Sequence, residues 1–272
     1  MRPIDTLPPF FIRNIRSAHD RRWDEHFRFD GESHASCEVV YVFSDKVEVT
    51  EDERVYRLFG GKMVVHAPWE FHRIRSLPGS SPRTAVSAFL TEGVMPQNLF
   101  SGVFTLSPTE KITFEDLFRR IFSLIHSEAP AAEESAACAL ELTSFFLRLS
   151  LSRNGQDTPF CGVSAARYGE VVSCMTEAVG ENLSLSDIAE RTHLSVSYLK
   201  SLFRTYAGIS PGAYYDRLRC REACRRLSSG ENVREVAEGM GFSSPNYFSL
   251  FFRRQTGVVP SHYPTKTPQP EK

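Results

Sequence analysis

The chain has 272 residues, 41% hydrophobic and 24% charged, which are ordinary globular values and exclude a disordered, collagen-like or fibrous protein. Length alone suits two compact units or one large one. Lysine and arginine number 32 against 33 aspartates and glutamates, so a net charge of -1 gives no global sign of nucleic acid or membrane.

From Phe27 to about Phe89, short β-rich runs alternate with turn residues: CEVVYVFSD, KVEVTED, ERVYRLFGG, KMVVHAPWE, FHRIRSLPG and RTAVSAFL. Close strand spacing of this kind suggests a small barrel or sandwich, with Gly60-Gly61 and Leu77 to Pro82 as turns. Past Pro108 the period changes. Phe114, Leu117, Phe118, Ile121, Phe122, Leu124 and Ile125 recur at three- and four-residue steps, which predicts an amphipathic helix. A second helix is expected from about Ala131 to Ser152, with Leu140, Leu142, Phe145, Phe146 and Leu149 on its apolar side. These two helices either pad the strands or form a dimer seam. The polar stretch from Ser152 to Pro159 reads as a linker.

From Ala165 the pattern is helical, and an internal repeat emerges. The first copy, IAERTHLSVSYLKSLFRTYAGISPGAY, runs from Ile188 to Tyr214, and the second, VAEGMGFSSPNYFSLFFRRQTGVVPSHY, from Val236 to Tyr263. The offset is 48 residues and becomes 49 after one insertion near Pro245. Ala189, Glu190, Tyr198, Phe203, Gly208 and Pro211 match Ala237, Glu238, Tyr247, Phe252, Gly257 and Pro260. Each copy reads as a short helix, a tight turn, a serine-capped second helix and a glycine stop, with Ser195 and Ser243 as N-caps. Gly241 suits the positive φ of a helix-turn-helix corner, and His193 stands at the matching place.

On the second helix of the first copy, Leu199, Leu202 and Phe203 form one face, and Val196, Ser197, Lys200, Ser201 and Arg204 the other. In the second copy Tyr247, Phe248, Phe251 and Phe252 are expected inward, and Ser244, Asn246, Ser249, Leu250 and Arg253 outward. Residues 165–272 carry 14 basic and 11 acidic residues, net +3, against a net -4 for residues 1–164. No acid occurs from Arg191 to Tyr215 or from Gly239 to Pro270. Small, polar and basic faces without acids suit a DNA major groove, where small groups permit close approach and cations meet phosphate.

From about Ala165 to Tyr263 the sequence resembles the AraC/XylS family of bacterial transcription regulators, most specifically in VAEGMGFSSPNYFSLFFRRQTGVVPSHY. The resemblance implies two helix-turn-helix units bridged by a long helix, here about Pro211 to Ser228, reading adjacent major-groove segments. It also implies an N-terminal cupin-like β-barrel followed by two dimerisation helices, hence an α+β chain. The expected domains are a sensor barrel at 1–108, dimerisation helices at 109–152, a linker at 153–164, the DNA-binding domain at 165–264 and a tail at 265–272. Its DNA-contacting set is Ser195, Val196, Ser197, Lys200, Ser201, Arg204, Ser243, Ser244, Asn246, Ser249, Leu250 and Arg253. The family often carries Arg or Lys where Leu250 stands, so an apolar contact with a thymine methyl is expected there instead.

In the N-terminal half, Glu32, His34, Glu38 and His72 are similar to the metal-binding cupin pattern, with Glu32 in the place of its first His. The family mostly uses this barrel as a metal-free sensor, so no metal or cofactor is expected. A metal-dependent cupin enzyme or a metal-responsive regulator is the alternative. Phe29, His34, Glu38, Tyr41, Trp69 and His72 are the candidate effector-binding residues, with Phe43 adding aromatic lining. No Walker-type loop, GxSxG elbow or HExxH pair is present, and the chain is read as a non-enzyme. Six cysteines (Cys37, Cys138, Cys161, Cys174, Cys220, Cys224) without a paired framework read as reduced, and the start MRPIDTLPPFF lacks a signal-length apolar run, so a cytoplasmic protein is expected. Expected partners are double-stranded DNA, a small-molecule effector of unknown class, RNA polymerase and a second copy of the chain. No membrane partner is expected, and activation and repression are not distinguished.

Overall fold

The computed structural model describes residues 7–100, 102–152 and 162–263. They fall into two compact units, Met1–Cys161 and Gly162–Lys272. The expected tail at 265–272, most of the linker at 153–164, and Cys161 lie outside the described residues.

The first unit begins with β1 (Phe10–Arg22), then β2 (Cys37–Ser44), β3 (Lys46–Glu51), β4 (Arg54–Phe59), β5 (Lys62–His66), β6 (His72–Ser76), β7 (Arg83–Gly93) and β8 (Phe104–Thr105). β1 precedes the strands foreseen from sequence. It is an edge strand whose ladder to β7 is interrupted between Ile12 and Asn14 and between Ile15 and Ser17, so its side chains lose strict alternation. The expected closed barrel is not found. β1-β7-β2-β5-β8 form one antiparallel sheet and β4-β3-β6 another. The edge of β6 meets only isolated bridges, Arg28 with Arg75 and Glu32 with His72, so no continuous ladder closes the ring. Gly61, at φ 87°, makes the β4–β5 turn, where a side chain would be strained.

Alternation sends successive residues of each strand to opposite faces. From β2 and β5, Val40, Val42 and Val64 meet Val47, Val49, Tyr56 and Leu58 of the smaller sheet in one apolar layer. Val39, Tyr41, Met63 and Val65 face the other way, into a core with Phe89 and two helices. These are α1 (Pro108–Ile125), started by a Ser107/Glu110 capping box with Pro108 in its first turn, and α2 (Ala132–Ser152). Phe114, Leu117, Phe118, Ile121, Leu142, Phe145, Phe146 and Leu149 are all buried in that core. Most of the stripe considered for a dimer seam therefore covers the chain's own sheet, while Leu140 remains exposed.

The second unit is helical: α3 (Val163–Glu177), α4 (Leu185–Arg191), α5 (Val196–Tyr206), α6 (Pro211–Ser228), α7 (Val233–Gly239) and α8 (Pro245–Thr256), then a 3-10 turn at Pro260–His262. α3 takes in Val163 and Ser164, which the sequence assigned to the linker. Its Tyr168 packs on Phe203 and Tyr206 of α5 and on Tyr214 of α6, with ring centroids 5.2, 5.3 and 6.5 Å away. Phe242 centres the second cluster, 5.2 Å from Phe248 and 5.1 Å from Phe251. Among the described residues no helix is long and apolar enough to cross a membrane.

Candidate functional site

The sequence repeat reappears hydrogen bond by hydrogen bond. Ser184 caps α4 and Asn232 caps α7, each closing a capping box, with Asp187 and Glu235 respectively. In the turns, the amides of His193 and Gly241 each donate to the carbonyl three residues back, Glu190 and Glu238, both at 3.1 Å. The amides of Leu194 and Phe242 donate to Ala189 at 2.9 Å and Ala237 at 3.0 Å. Both corner residues are left-handed, His193 at φ 54° and Gly241 at φ 67°. Ser195 caps α5 by accepting from the Tyr198 amide. The cap of α8 is Ser244 rather than Ser243, accepting from the Tyr247 amide. Pro245 explains the displacement, since its fixed φ and missing N–H suit the first helical position and move the cap to the residue just before it.

α5 and α8 present comparable outer faces. Ser197, Lys200 and Arg204 are exposed on α5, and Val196 and Ser201 half-buried. On α8, Asn246, Leu250 and Arg253 are exposed, and Ser244 and Ser249 half-buried, while Ser243 lies exposed in the turn before the helix. Tyr247, expected inward, is 58% exposed, and its counterpart Tyr198 is 40% exposed. The inward places are filled by Phe248, Phe251 and Phe252, leaving Tyr247 one step beyond the buried arc. Tyr247 is misread from sequence, where an aromatic at helical spacing counts as core, whereas Tyr198 is assigned to neither face.

Charge separates these faces from the rest of the unit. Arg191 pairs with Glu181, Arg225 and Arg226 with Glu222, Arg234 with Glu238, and Arg254 with Asp216. Among the described residues Lys200, Arg204 and Arg253 have no carboxylate partner. The acid-free windows thus become three uncompensated cations on two exposed helix faces, the electrostatic requirement for a polyanion.

Beneath them, Arg219 of α6 is almost fully buried. Its guanidinium lies 4.2 Å from the Phe242 ring centroid and donates to the Met240 carbonyl at 2.6 Å and to Asn182 Oδ1 at 3.3 Å. It ties the turn of the second helix-turn-helix to the bridging helix.

In the N-terminal unit, strand register gathers a polar cluster. β2–β5 pairing sets Glu38 opposite His66, and β3–β6 pairing sets Glu51 opposite His72. Glu32 and His72 exchange backbone hydrogen bonds of 3.0 Å in both directions. The His66 and His72 rings stack at 4.4 Å with 8° between planes. Glu32, His34, Glu38 and His72 converge as one group, and Glu51, His66 and Glu70 as another. The second group encloses the Arg54 guanidinium, 3.0 Å from Glu51 and 3.1 Å from Glu70. Of the other proposed effector residues, Tyr41 lies on the opposite face of β2, where it donates to Glu115 of α1 at 2.6 Å and packs on Phe114. Phe43 likewise packs on Phe118. Phe29 is partly exposed, and the Trp69 amide donates to the His34 carbonyl at 2.7 Å.

Burial, then the neighbouring His66, holds the His72 pKa down at about 4, and contact with Glu38 raises that of His34. Burial pushes Glu38 up, but His34 and His72 outweigh it and hold its carboxyl below the usual range. Burial lifts Glu51 and Glu70 to about 8. A carboxyl raised in the folded state contributes no pH dependence well below its ordinary value of 4.5, where both states hold the proton. Between there and about 8 the unfolded chain releases a proton that the folded chain keeps, so stability falls as pH rises, by up to about 1.4 kcal/mol per unit for each such group. Glu51→Gln, which mimics the protonated form, should therefore raise the unfolding midpoint more at pH 8 than at pH 5. Trp23 and Trp69 both lie in the first unit, so tryptophan fluorescence of the full chain in EDTA reads this transition selectively. An equal shift at both pH values contradicts the assignment.

Together the second unit's six helices define a protein class, the double helix-turn-helix module with a bridging helix. Residues 188–266 match the family model described as a helix-turn-helix domain. The raffinose operon transcriptional regulatory protein RafR of Pediococcus pentosaceus is 34% identical over 101 residues, 37% of this chain and 36% of that protein. The HTH-type transcriptional activator RhaR of Cronobacter sakazakii is 27% identical over 147 residues, 52% of this chain and 51% of that one. The chain thus spans about half or less of the length of these curated relatives. A solved structure of apo ToxT from Vibrio cholerae aligns over 94% of this chain and 97% of that one, at 15% identity and a TM-score of 0.37. These matches support an AraC-type helix-turn-helix domain in the C-terminal unit.

Proposed function

We propose that the chain is a sequence-specific DNA-binding transcription regulator in which α5 and α8 enter adjacent major-groove segments and the N-terminal unit senses a small-molecule effector. The observation that carries this reading is the pair of repeated outer faces, capped alike and bearing Lys200, Arg204 and Arg253 without carboxylate partners. α6, with 18 residues, is about 27 Å long, of the order of the roughly 34 Å between successive turns of a major groove. The names of RafR and RhaR favour a role at promoters. A homodimer would add avidity through a second pair of reading helices, and a regulator acting at promoters would work beside RNA polymerase. Sensing is assigned to the first unit because its buried polar cluster serves no reading helix, and effector occupancy there would bias the DNA-binding state.

Position on each helix separates base from phosphate contacts. Lys200 and Ser201 sit toward the middle of α5, while Arg204 and Arg253 lie in the last turns of their helices. Lys200→Ala and Ser201→Ala should relax preference at particular base pairs. Arg204→Ala and Arg253→Ala should weaken binding to all sequences about equally and reduce the salt slope by about one each. Affinity selection from a random DNA pool, followed by binding isotherms on the selected site and its single-base variants, measures both. Uniform loss across all four variants would show the faces misassigned.

A further inference from the structure

We propose that Glu32, His34, Glu38 and His72 bind one divalent first-row transition-metal ion, in a site built by the backbone of both sheets. Each side chain offers one donor to the group. His34 Nε2 stands 3.5 Å from Glu38 and 3.7 Å from Glu32, and His72 Nε2 stands 3.4 Å from Glu38 and 3.9 Å from Glu32. A tetrahedron with metal–ligand arms of about 2.0–2.2 Å has edges of about 3.3–3.6 Å. The four donors lie within 4.8 Å of one another. Glu38 faces His34 through Oε2 and His72 through Oε1, so side-chain rotation would bring one oxygen of each carboxylate onto the ion.

The imidazoles are oriented for the task. His34 Nδ1 lies 3.0 Å from the Ser36 carbonyl and His72 Nδ1 3.0 Å from the Glu70 carbonyl. A carbonyl only accepts, so each Nδ1 donates and, in the neutral ring, each Nε2 turns a lone pair toward the carboxylates. His72 Nε2 is buried and has no hydrogen-bond partner, an unmet acceptor aimed into the cluster. Four electron-pair donors facing one another call for a cation, and the nearby Arg54 is engaged by Glu51 and Glu70. The same comparison sets the adjoining Glu51, His66 and Glu70 group aside, because it already holds a guanidinium. Two imidazoles with two carboxylates suit a zinc- or iron(II)-like ion rather than calcium, which takes six to eight oxygens. Glu32 is half-exposed and provides the entry side, while the stacked His66 ring walls the inner side.

This departs from the metal-free sensor expected from sequence. Metal binding itself does not depend on how the C-terminal unit meets DNA, whereas a regulatory effect of the metal rests on the sensing function proposed above. The test uses the full chain, stripped with chelator and titrated with Co2+ and then Zn2+. The expected result is one Co2+ per chain, the visible spectrum of a tetrahedral nitrogen–oxygen site, displacement by Zn2+, and a raised midpoint in the tryptophan-reported transition. Glu32→Gln and His34→Ala should each weaken Co2+ binding at least tenfold, and the double variant should abolish the spectrum, with the exposed His19→Ala unchanged. Both residues are partly exposed, so these variants decide even if His72→Ala does not fold. Absence of saturable binding, or an unchanged spectrum and affinity in the double variant, overturns the proposal. Because the readout is metal occupancy, a failure of DNA binding would leave it standing.

Discussion

Leu250→Glu is expected to lower DNA affinity by about 100-fold or more without changing the folded state. Leu250 is 69% exposed on α8, between Asn246 one turn earlier and Arg253 one turn later. Exposed substitutions of this kind usually shift stability by no more than about 0.5 kcal/mol, so the helical unfolding midpoint should hold. In the proposed complex, however, position 250 faces the groove in a stretch with no acid from Gly239 to Pro270. A carboxylate there opposes the phosphates and must be desolvated without a partner, and like-charge juxtaposition of this kind costs several kcal/mol. Leu250→Ala should have a smaller effect, confined to the base pair whose methyl group the leucine touches. Leu151→Glu, at an exposed site on α2, is the control and should leave affinity unchanged. Equal affinity for the Leu250→Glu variant and the parent in fluorescence anisotropy would remove α8 from the interface.

Arg219→Ala should destabilise the C-terminal unit by about 3–5 kcal/mol. The substitution removes a charge-assisted hydrogen bond to the Met240 carbonyl, the contact with Asn182 and the stacking on Phe242, and it leaves a cavity beside the Phe242 and Phe251 rings. A hydrogen bond to a charged group contributes about 1.5–3 kcal/mol and a desolvated cation–π contact about 2, before packing losses. For a unit of about 100 residues this corresponds to a midpoint decrease of more than about 10 °C, read by the helical circular-dichroism signal. Arg219→Lys should recover only part of it, since an ammonium cannot both lie flat on Phe242 and span to Met240 and Asn182. DNA binding should weaken in parallel, because the turn that aims α8 loses its tie to α6. A midpoint within about 3 °C of the parent would show that the guanidinium contributes little.

The parts of this protein legible in its sequence are those governed by local periodicity. α1 follows from Phe114, Leu117, Phe118 and Ile121, while α6, about Pro211 to Ser228, is implied by the family resemblance. The repeat could be aligned because each copy must satisfy the same free amides with the same caps. What escaped depends on partners distant in sequence. β1 is a bulged edge strand without clean alternation, and sheet closure is decided by which edges pair, which alternation does not encode. Tyr41 and Glu38 sit three residues apart on β2 and therefore on opposite faces, one toward α1 and one toward His72. The Glu51, His66, Glu70 and Arg54 group comes from the register of two sheets, and no spacing along the chain announces it. Nothing in the sequence singles out Arg219, because only its tertiary neighbours, Met240 and Phe242, reveal its role.

In the proposed function the C-terminal unit is a DNA-reading module held together by α6. Residues 162–272, the second compact unit, isolate that claim from dimerisation and sensing. Equilibrium binding of this fragment to a duplex selected with the intact chain, measured by anisotropy between about 50 and 200 mM salt, tests it most directly. Three unpaired cations together with helix N-termini predict binding weaker than that of the intact chain, with log K falling by about three for each tenfold rise in salt concentration. A fragment that is folded by circular dichroism yet shows no salt-sensitive binding to that duplex would contradict it.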